Sequence, residues 1–159
     1  MLGPIVTGIL FSLVMLGISL KNPNLGRIIL GMFFLVMAIG VNGTITLSNP
    51  QLYVDYGQQA LIPIYREFCL TIIALNPKVF GLLLIAYEIT IGLLMLNRGT
   101  RVKIGMIGSI LFLIAISPIS LIQIPWLGLV IAPGYLLTKD FETTFLDIVK
   151  AKVRKNRYL

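Results

Sequence analysis

The chain has 159 residues, of which 57% are hydrophobic and only 12% charged, and its mean hydropathy is +0.96. Soluble domains carry about 25% charged residues, so these proportions exclude a soluble globular protein and predict one domain embedded in a lipid bilayer. The net charge of +7 comes from basic residues between apolar runs and near the C-terminus. That pattern is typical of membrane orientation and not of nucleic-acid binding.

Four apolar runs predict the transmembrane helices. They cover residues 4–20, residues 28–47, residues 79–97 and the first half of residues 104–137. About 20 residues of helix cross the hydrocarbon core of a bilayer. We expect the first run to be a retained span and not a cleaved signal peptide, because its basic residues follow the run instead of preceding it.

The regions between these runs predict shorter elements. Residues 48–59 are polar, whereas residues 60–75 are apolar apart from Arg66, Glu67 and Thr71. This second region predicts an interfacial or re-entrant helix. Residues 104–137 are too many for one span, and prolines interrupt them. They predict a fourth helix, a turn near residues 117–120 and a kinked segment that returns across the bilayer.

The distribution of basic residues orients the bundle. If the N-terminus is outside and residues 104–137 cross and return, only Arg66 and Lys78 are left outside. A single crossing would place the basic tail outside as well, against the positive-inside rule. We therefore predict an all-α polytopic membrane bundle at residues 1–138, with four transmembrane helices plus a proline-broken fifth or re-entrant segment. Its N-terminus is outside and its C-terminus cytoplasmic.

Residues 139–159 predict a basic amphipathic helix on the cytoplasmic side. Acidic residues in its first turn and basic residues at its end complement the helix dipole. The basic end indicates contact with the anionic lipids of the bilayer, and docking onto a partner subunit is the alternative. The expected apolar face consists of Phe141, Phe145, Ile148 and Val149, and the expected acidic first turn contains Asp140 and Glu142.

The cysteine and histidine content limits the chemistry of the chain. There is no histidine, and Cys69 is the only cysteine, which we expect to be a small buried hydrophobe. The chain alone therefore has no disulfide, no Cys/His zinc site, no cysteine-ligated iron–sulfur cluster and no Ser-His-Asp triad. We expect no metal site and no cofactor within this chain, and quinone is the candidate ligand.

Glu88 is the residue that most needs explaining. It lies at the centre of residues 79–97, a run that is otherwise uncharged, and so near the bilayer midplane. An ionised carboxylate there costs about 3 kcal/mol even on insertion scales, so we expect the carboxyl to be protonated or paired. Two interpretations stay open: a catalytic proton acceptor or relay group, and a structural hydrogen bond to Asn42, Thr44 or a tyrosine.

Other polar residues are candidates for binding a ligand beside Glu88. Arg66 is the candidate cation for an anionic or quinone-like ligand near the outer face, and snorkelling to the interface is the alternative. Tyrosines are expected to line the same outer cavity as hydrogen-bond donors, and an aromatic belt is the alternative. The candidate ligand-binding residues are Arg66, Glu67, Tyr65, Tyr87 and Asn42, with Tyr53 and Tyr56 as further donors.

The segment around Glu88 resembles the DoxX-like family of small integral membrane proteins. Members characteristically have a Glu early in a helix, a Gly four residues on, a leucine run and a Gly-Thr-Arg-like turn. Here these are Glu88, Gly92, the leucines after it, and Gly99-Thr-Arg101. The resemblance spans roughly residues 31–118 and implies a four-helix membrane bundle. The customary lysine of the region after the second helix is absent, and the proline-broken final stretch and basic tail depart from the family.

The resemblance also implies a range of functions. Some members are subunits of thiosulfate:quinone oxidoreductase, and others accompany redox enzymes or act in membrane-protein assembly and trafficking. Our leading hypothesis is a small subunit, catalytic or not, of a quinone-linked complex of the respiratory chain. A cavity near Glu88, Arg66 and Tyr65 would receive the quinone, and redox subunits would hold the electron carriers. A scaffold that binds a partner subunit is the alternative, and a small-solute or lipid transporter is a weaker one.

Overall fold

A computed structural model describes residues 2–156, without the side chains of Lys152, Lys155 and Asn156. The secondary structure of these residues is entirely helical, without any strand. In chain order the helices are α1 (Leu2–Lys21), α2 (Pro23–Ser48), α3 (Leu52–Gln58), α4 (Pro63–Thr71), α5 (Pro77–Met95), α6 (Thr100–Ile116), α7 (Ile124–Leu136) and α8 (Phe145–Asn156).

Helices α1, α2, α5 and α6 are long and apolar enough to cross a bilayer. They contain 20, 26, 19 and, with the 3₁₀ turn Ser117–Ile119 that continues α6, 20 residues. Large apolar side chains on their outer faces are more than half exposed, among them Leu13, Leu83 and Leu111. Such exposure fits contact with lipid tails. The predicted all-α membrane bundle with four spans is confirmed.

The same short signal begins α2 and α5. An asparagine precedes a proline in both, and its side chain accepts a hydrogen bond from the backbone three residues on: Asn22 from Leu25 N–H, and Asn76 from Val79 N–H, both at 3.1 Å. The proline is tolerated because the first N–H groups of a helix have no intrahelical partner. Each asparagine thus fixes where a span starts.

Helices α2 and α5 approach most closely where two glycines face each other. A Cβ atom built on Gly31 would lie 2.9 Å from the Gly92 carbonyl oxygen, and one built on Gly92 would lie 2.9 Å from the Gly31 carbonyl oxygen. Neither position has room for a side chain, so the two backbones come close together. Gly92 is therefore a packing residue.

Residues 104–137 do cross and return. At one end of α6, Leu61 N–H donates to the Pro118 carbonyl at 2.9 Å; at its other end, Gly99 N–H donates to the Phe141 carbonyl at 2.6 Å. The chain therefore comes back to the start of α6 after α7. We call these two ends of the bundle the α3–α4 end and the Arg27 end.

Helix α7 is the proline-broken fifth segment. Its first part, Ile124–Val130, is a 3₁₀ helix, and its second part, Ile131–Leu136, is α-helical. Because a 3₁₀ helix rises about 2.0 Å per residue against about 1.5 Å for an α-helix, α7 extends about 23 Å. It packs beside α1, where a Cβ atom built on Gly8 would lie 3.2 Å from Pro125 and one built on Gly128 would lie 3.2 Å from Ser12.

The tail differs from its prediction in where the helix begins. Helix α8 starts at Phe145, so Asp140 and Glu142 precede the helix instead of forming its first turn. Phe141, which was predicted to lie on the apolar face of the tail helix, is 2% exposed and belongs to the main hydrophobic core. Its burial in the core decides its position, and its helical spacing from Phe145 does not. Asp140 pairs with Lys103 at 2.9 Å. The predicted tail extends to residue 159, and its last three residues lie outside the described part of the chain.

A buried arginine holds the Arg27 end together. Arg27 is fully buried, and its guanidinium donates to the side-chain oxygen of Asn24 at 3.0 Å and to the carbonyls of Met95 (3.1 Å), Asn97 and Thr143. It also lies over the Phe141 ring, 4.9 Å from the ring centroid. One side chain thereby ties the start of α2 to the end of α5 and to the loop before α8.

Candidate functional site

A π-helical segment within α2 shapes the site. Residues Met37–Asn42 form a wider turn, with α-helix before and after it. Single-turn π-helical insertions are rare and occur frequently at functional sites, because the added residue rotates the following side chains. Here Ala38 and Asn42 are the buried residues of the segment. The widened turn directs the Asn42 side chain toward α5.

Glu88 hydrogen bonds to Asn42 inside the bundle. The Nδ2 atom of Asn42 donates to Oε2 of Glu88 at 2.7 Å. Glu88 is 2% exposed and Asn42 is 8% exposed, so the bond is shielded from solvent. Glu88 lies about 16 Å along α5, close to the middle of that span. One of the two interpretations of Glu88, a hydrogen bond between helices, is therefore confirmed with Asn42 as the partner.

Tyr53 of α3 extends this bond into a polar cluster. Its hydroxyl lies 3.0 Å from Oγ1 of Thr46, 3.2 Å from the Asn42 carbonyl oxygen and 3.3 Å from the Asn42 side-chain oxygen. Thr46 is 1% exposed and Tyr53 is 8% exposed. We call Glu88, Asn42, Tyr53 and Thr46 the polar cluster. It holds the Asn42 amide in one orientation, with its nitrogen toward Glu88.

Three members of the polar cluster, Glu88, Asn42 and Tyr53, line a cavity of about 290 Å³. This volume is at the low end of the usual range for small-molecule sites, about 300–1,000 Å³. The remaining wall is apolar and strongly aromatic. Two aromatic pairs within it are Phe33 with Trp126, stacked at 5.8 Å, and Phe34 with Phe112, edge to face at 5.8 Å. The aromatic lining residues are Phe33, Phe34, Tyr53, Tyr56, Phe80, Phe112 and Trp126.

The carboxyl of Glu88 has one oxygen left for a ligand. Asn42 donates to Oε2, and no hydrogen bond to Oε1 is found within residues 2–156. Because Glu88 lines the cavity, a molecule bound there can donate to Oε1 or accept from it. The cavity therefore offers mostly apolar, aromatic walls, one carboxyl group and a few neutral polar side chains, among them Tyr56 and Gln123.

Arg66, Glu67 and Tyr65 do not line this cavity, contrary to our expectation. They lie on α4, where Arg66 and Glu67 are exposed and Tyr65 is half-buried. Arg66 donates to the carbonyl of Ala60 at 3.3 Å. The face that α4 turns toward the cavity carries Cys69 instead. Tyr65, Cys69 and Ile73 follow one another at intervals of one helical turn. Helical spacing alone therefore did not show that Cys69 and Ile73 reach the cavity and Tyr65 does not.

Tyr87 also points away from the cavity. Its hydroxyl donates to the Gly108 carbonyl at 2.9 Å, and its ring stacks on Phe112 at 5.8 Å. It lies next to Glu88 in the sequence, and successive residues of a helix diverge by about 100°. Of the candidate tyrosines, the structure places Tyr53 and Tyr56 at the cavity.

Two buried residues beside Glu88 and the cavity, Thr46 and Cys69, were not predicted to contribute to the site. Thr46 escaped notice because an isolated threonine near the end of a span carries no specific signal. Cys69 was expected to be a buried hydrophobe, and it is 3% exposed and packs against Gly57. Burial raises the pKa of its thiol, which keeps the sulfur protonated and unreactive.

The described residues contain no group of three or more His, Cys, Asp or Glu side chains that could hold a metal ion. Comparison of the chain with protein-family models, with curated proteins and with solved structures finds no match.

Proposed function

We propose that this integral membrane protein is a DoxX-like subunit of a quinone-linked redox complex, and that its cavity receives the quinone head group. One observation carries the proposal: a buried acid with an unoccupied oxygen lies on the wall of an aromatic cavity in the middle of the membrane span. Because Oε1 makes no hydrogen bond within the fold and Glu88 lines the cavity, this oxygen is available to a ligand.

The cavity matches the chemistry of a quinone ring. A quinone is flat and apolar on both faces, and its polar groups lie at the ring edge. Phe33 and Trp126 offer parallel aromatic surfaces, and Glu88 offers the hydrogen-bonding group. Ligand sites of this kind combine mostly apolar walls with a few placed polar groups. A long isoprenoid tail would extend from the cavity into the surrounding lipid.

Glu88 would exchange one proton with the bound ring. Oxidation of a quinol releases two electrons and two protons; Glu88 takes one proton at Oε1, and the other leaves with water. Reduction of a quinone returns both. The electrons pass to or from a flavin, haem or iron–sulfur centre of a partner subunit. Asn42 cannot carry the proton onward, because its amide donates hydrogen bonds without releasing a proton. The proton on Glu88 therefore enters and leaves through the cavity.

Trp126 provides a direct test of quinone binding. It is the only tryptophan of the chain and it lines the cavity, so a bound quinone should quench its fluorescence. The experiment titrates a short-chain quinol and quinone into purified protein and records Trp126 emission. We expect saturable quenching, and about tenfold weaker quinol binding in Glu88→Gln, because a charge-assisted hydrogen bond is replaced by a neutral one.

Glu67→Gln is the matched control, since it removes an exposed acid that does not line the cavity. It should bind quinol as the unaltered protein does. Quenching that never saturates, or equal binding by Glu88→Gln and Glu67→Gln, would refute the quinone site. The alternative of a non-enzymatic scaffold would then gain support. Mass spectrometry of subunits and lipids that co-purify in mild detergent would identify the partner in either case.

A further inference from the structure

Helix α8 presents an apolar stripe that the bundle does not cover. Leu146, Val149 and Val153 are 62%, 40% and 55% exposed. Their spacing of three and four residues places them on one side of the helix. Phe145 and Ile148, on the adjoining side, are half-buried. The side of α8 nearest the bundle is therefore separate from the stripe.

Two cations, Lys150 and Arg154, border one side of the stripe. At about 100° per residue, Lys150 and Arg154 follow Leu146 around the helix by about 40° and 80°. The sequence adds further basic residues after Arg154. Other exposed cations lie at the same end of the bundle, among them Arg98 and Arg101. An apolar stripe bordered by cations is the pattern of helices that lie in the headgroup region of anionic membranes.

The start of α8 is fixed at the level where the spans end. Phe145 N–H donates to the Leu96 carbonyl at 2.9 Å, directly after α5. Two residues earlier, the Thr143 carbonyl accepts from the buried guanidinium of Arg27. Beyond this attachment α8 has no extensive contact with another helix of the described chain. It begins at the membrane boundary with its stripe uncovered.

Local capping makes α8 a defined helix. The backbone N–H and the hydroxyl of Thr144 both donate to Oδ2 of Asp147, at 2.9 and 2.8 Å, and Asp147 N–H donates to the Thr144 hydroxyl at 3.1 Å. This reciprocal pair is a capping box, which satisfies free donors at the helix start. Because the cap forms within the segment, α8 does not depend on packing against the bundle for its first turn.

We propose that α8 lies on the bilayer surface at the Arg27 end and binds anionic phospholipid headgroups, with Leu146, Val149 and Val153 inserted among the lipids. Lys150 and Arg154 contact the headgroup phosphates. The other kind of occupant for such a stripe is a protein surface, either a second copy or a partner subunit. The bilayer is favoured because α8 starts at the membrane boundary and because the flanking charges are positive.

The test compares two positions on α8 in the full chain. A fluorescent probe is attached at Val153→Cys, in the stripe, or at Ala151→Cys, an exposed position about 160° away around the helix, each with Cys69→Ser. The protein is placed in nanodiscs of phosphatidylcholine, with or without phosphatidylglycerol, that contain brominated lipid. We expect brominated lipid to quench the probe at position 153, more strongly with phosphatidylglycerol, and to spare the probe at position 151.

Removal of the cations tests the electrostatic part. Each cation near an anionic surface changes the balance between bound and unbound α8 about fivefold, so Lys150→Gln with Arg154→Gln should shift it about 25-fold toward the unbound state. Equal quenching at both positions, or quenching unaffected by phosphatidylglycerol and by the double substitution, would overturn the proposal. A probe at position 153 protected from aqueous iodide but not quenched by lipid would also overturn it, in favour of a protein surface.

Discussion

Arg27→Met is the substitution that most directly tests how the Arg27 end is held. Methionine keeps the apolar length of the side chain and removes the cation with its four hydrogen bonds. Arg98→Met is the control, since it removes an exposed cation from the same end of the bundle. Both substitutions lower the net charge by one, so a difference between them reports the buried contacts.

The magnitude follows from the groups left behind. The Met95 carbonyl lies in the buried part of the contact, and an unpaired buried acceptor costs about 1–3 kcal/mol. The carbonyls of Asn97 and Thr143 are partly exposed, so water replaces the guanidinium there at a cost of about 0.5 kcal/mol each. Loss of the cation above the Phe141 ring adds about 1 kcal/mol. The substitution also removes the desolvation penalty of the buried charge, which offsets part of this sum. The net loss of unfolding free energy is then about 3 kcal/mol.

The assay is reversible unfolding in bicelles, combined with hydrogen exchange of the amides that the loop secures. We expect Arg27→Met to lower the free energy of unfolding by about 3 kcal/mol, and Arg98→Met to change it by less than about 0.5 kcal/mol. The Gly99 and Phe145 amides, which bond across this end, should exchange faster in Arg27→Met. Equal losses in the two variants, or unchanged exchange at these amides, would refute the role assigned to Arg27.

Three further predictions address the close crossing, the polar cluster and the helix cap. Gly92→Ala should lower the free energy of unfolding by about 1–3 kcal/mol because the added methyl meets the backbone of α2, whereas Gly134→Ala, with nothing within 4 Å, should not. Tyr53→Phe should cost about 1 kcal/mol in the same assay through loss of its hydroxyl bonds to α2. Hydrogen bonds from the Thr144 backbone and hydroxyl lower the pKa of Asp147. The α8 amides should therefore be fully protected above the pKa of an unfolded aspartate and lose protection as pH falls through the lowered pKa, and Asp147→Asn should abolish this dependence.

The number of spans was predictable because lipid imposes a simple requirement on the sequence, whereas α2 begins at Pro23, five residues before the predicted run. A helix that crosses hydrocarbon needs about 20 apolar residues, and capping asparagines with prolines mark where α2 and α5 begin. The return of residues 104–137 followed from the length of this stretch, its prolines and the distribution of basic residues. The helix α3 was not predicted, because residues 48–59 are polar on average. Tyr53 and Val54 supply the burial that makes a helix favourable there.

The Glu88–Asn42 pair at the centre of the site was predictable from the sequence, and most of the cavity lining around it was not. A lone acid within an apolar run is unusual, which singled out Glu88 and suggested Asn42 as a partner. The π-helical segment before Asn42 has no sequence signal, yet it decides which residues of α2 face α5. Arg66 was predicted to be the cation of the site because its positive charge would attract an anionic or quinone-like ligand. In the structure it is exposed on α4, since the long side chain reaches polar surroundings more easily than the cavity.

Arg27 and Glu88 show two outcomes for a charged residue buried inside the bundle. The guanidinium of Arg27 is surrounded by acceptors on the backbone of α5 and the loop before α8, so its burial is stabilised without a carboxylate. Glu88 has one partner, and its other oxygen opens on a cavity with room for a ring. A buried side chain that uses four of its five N–H donors within the fold has little left to offer a ligand. A residue that keeps an unpaired atom beside a cavity does, and for this reason we propose a structural role for Arg27 and a ligand-binding role for Glu88.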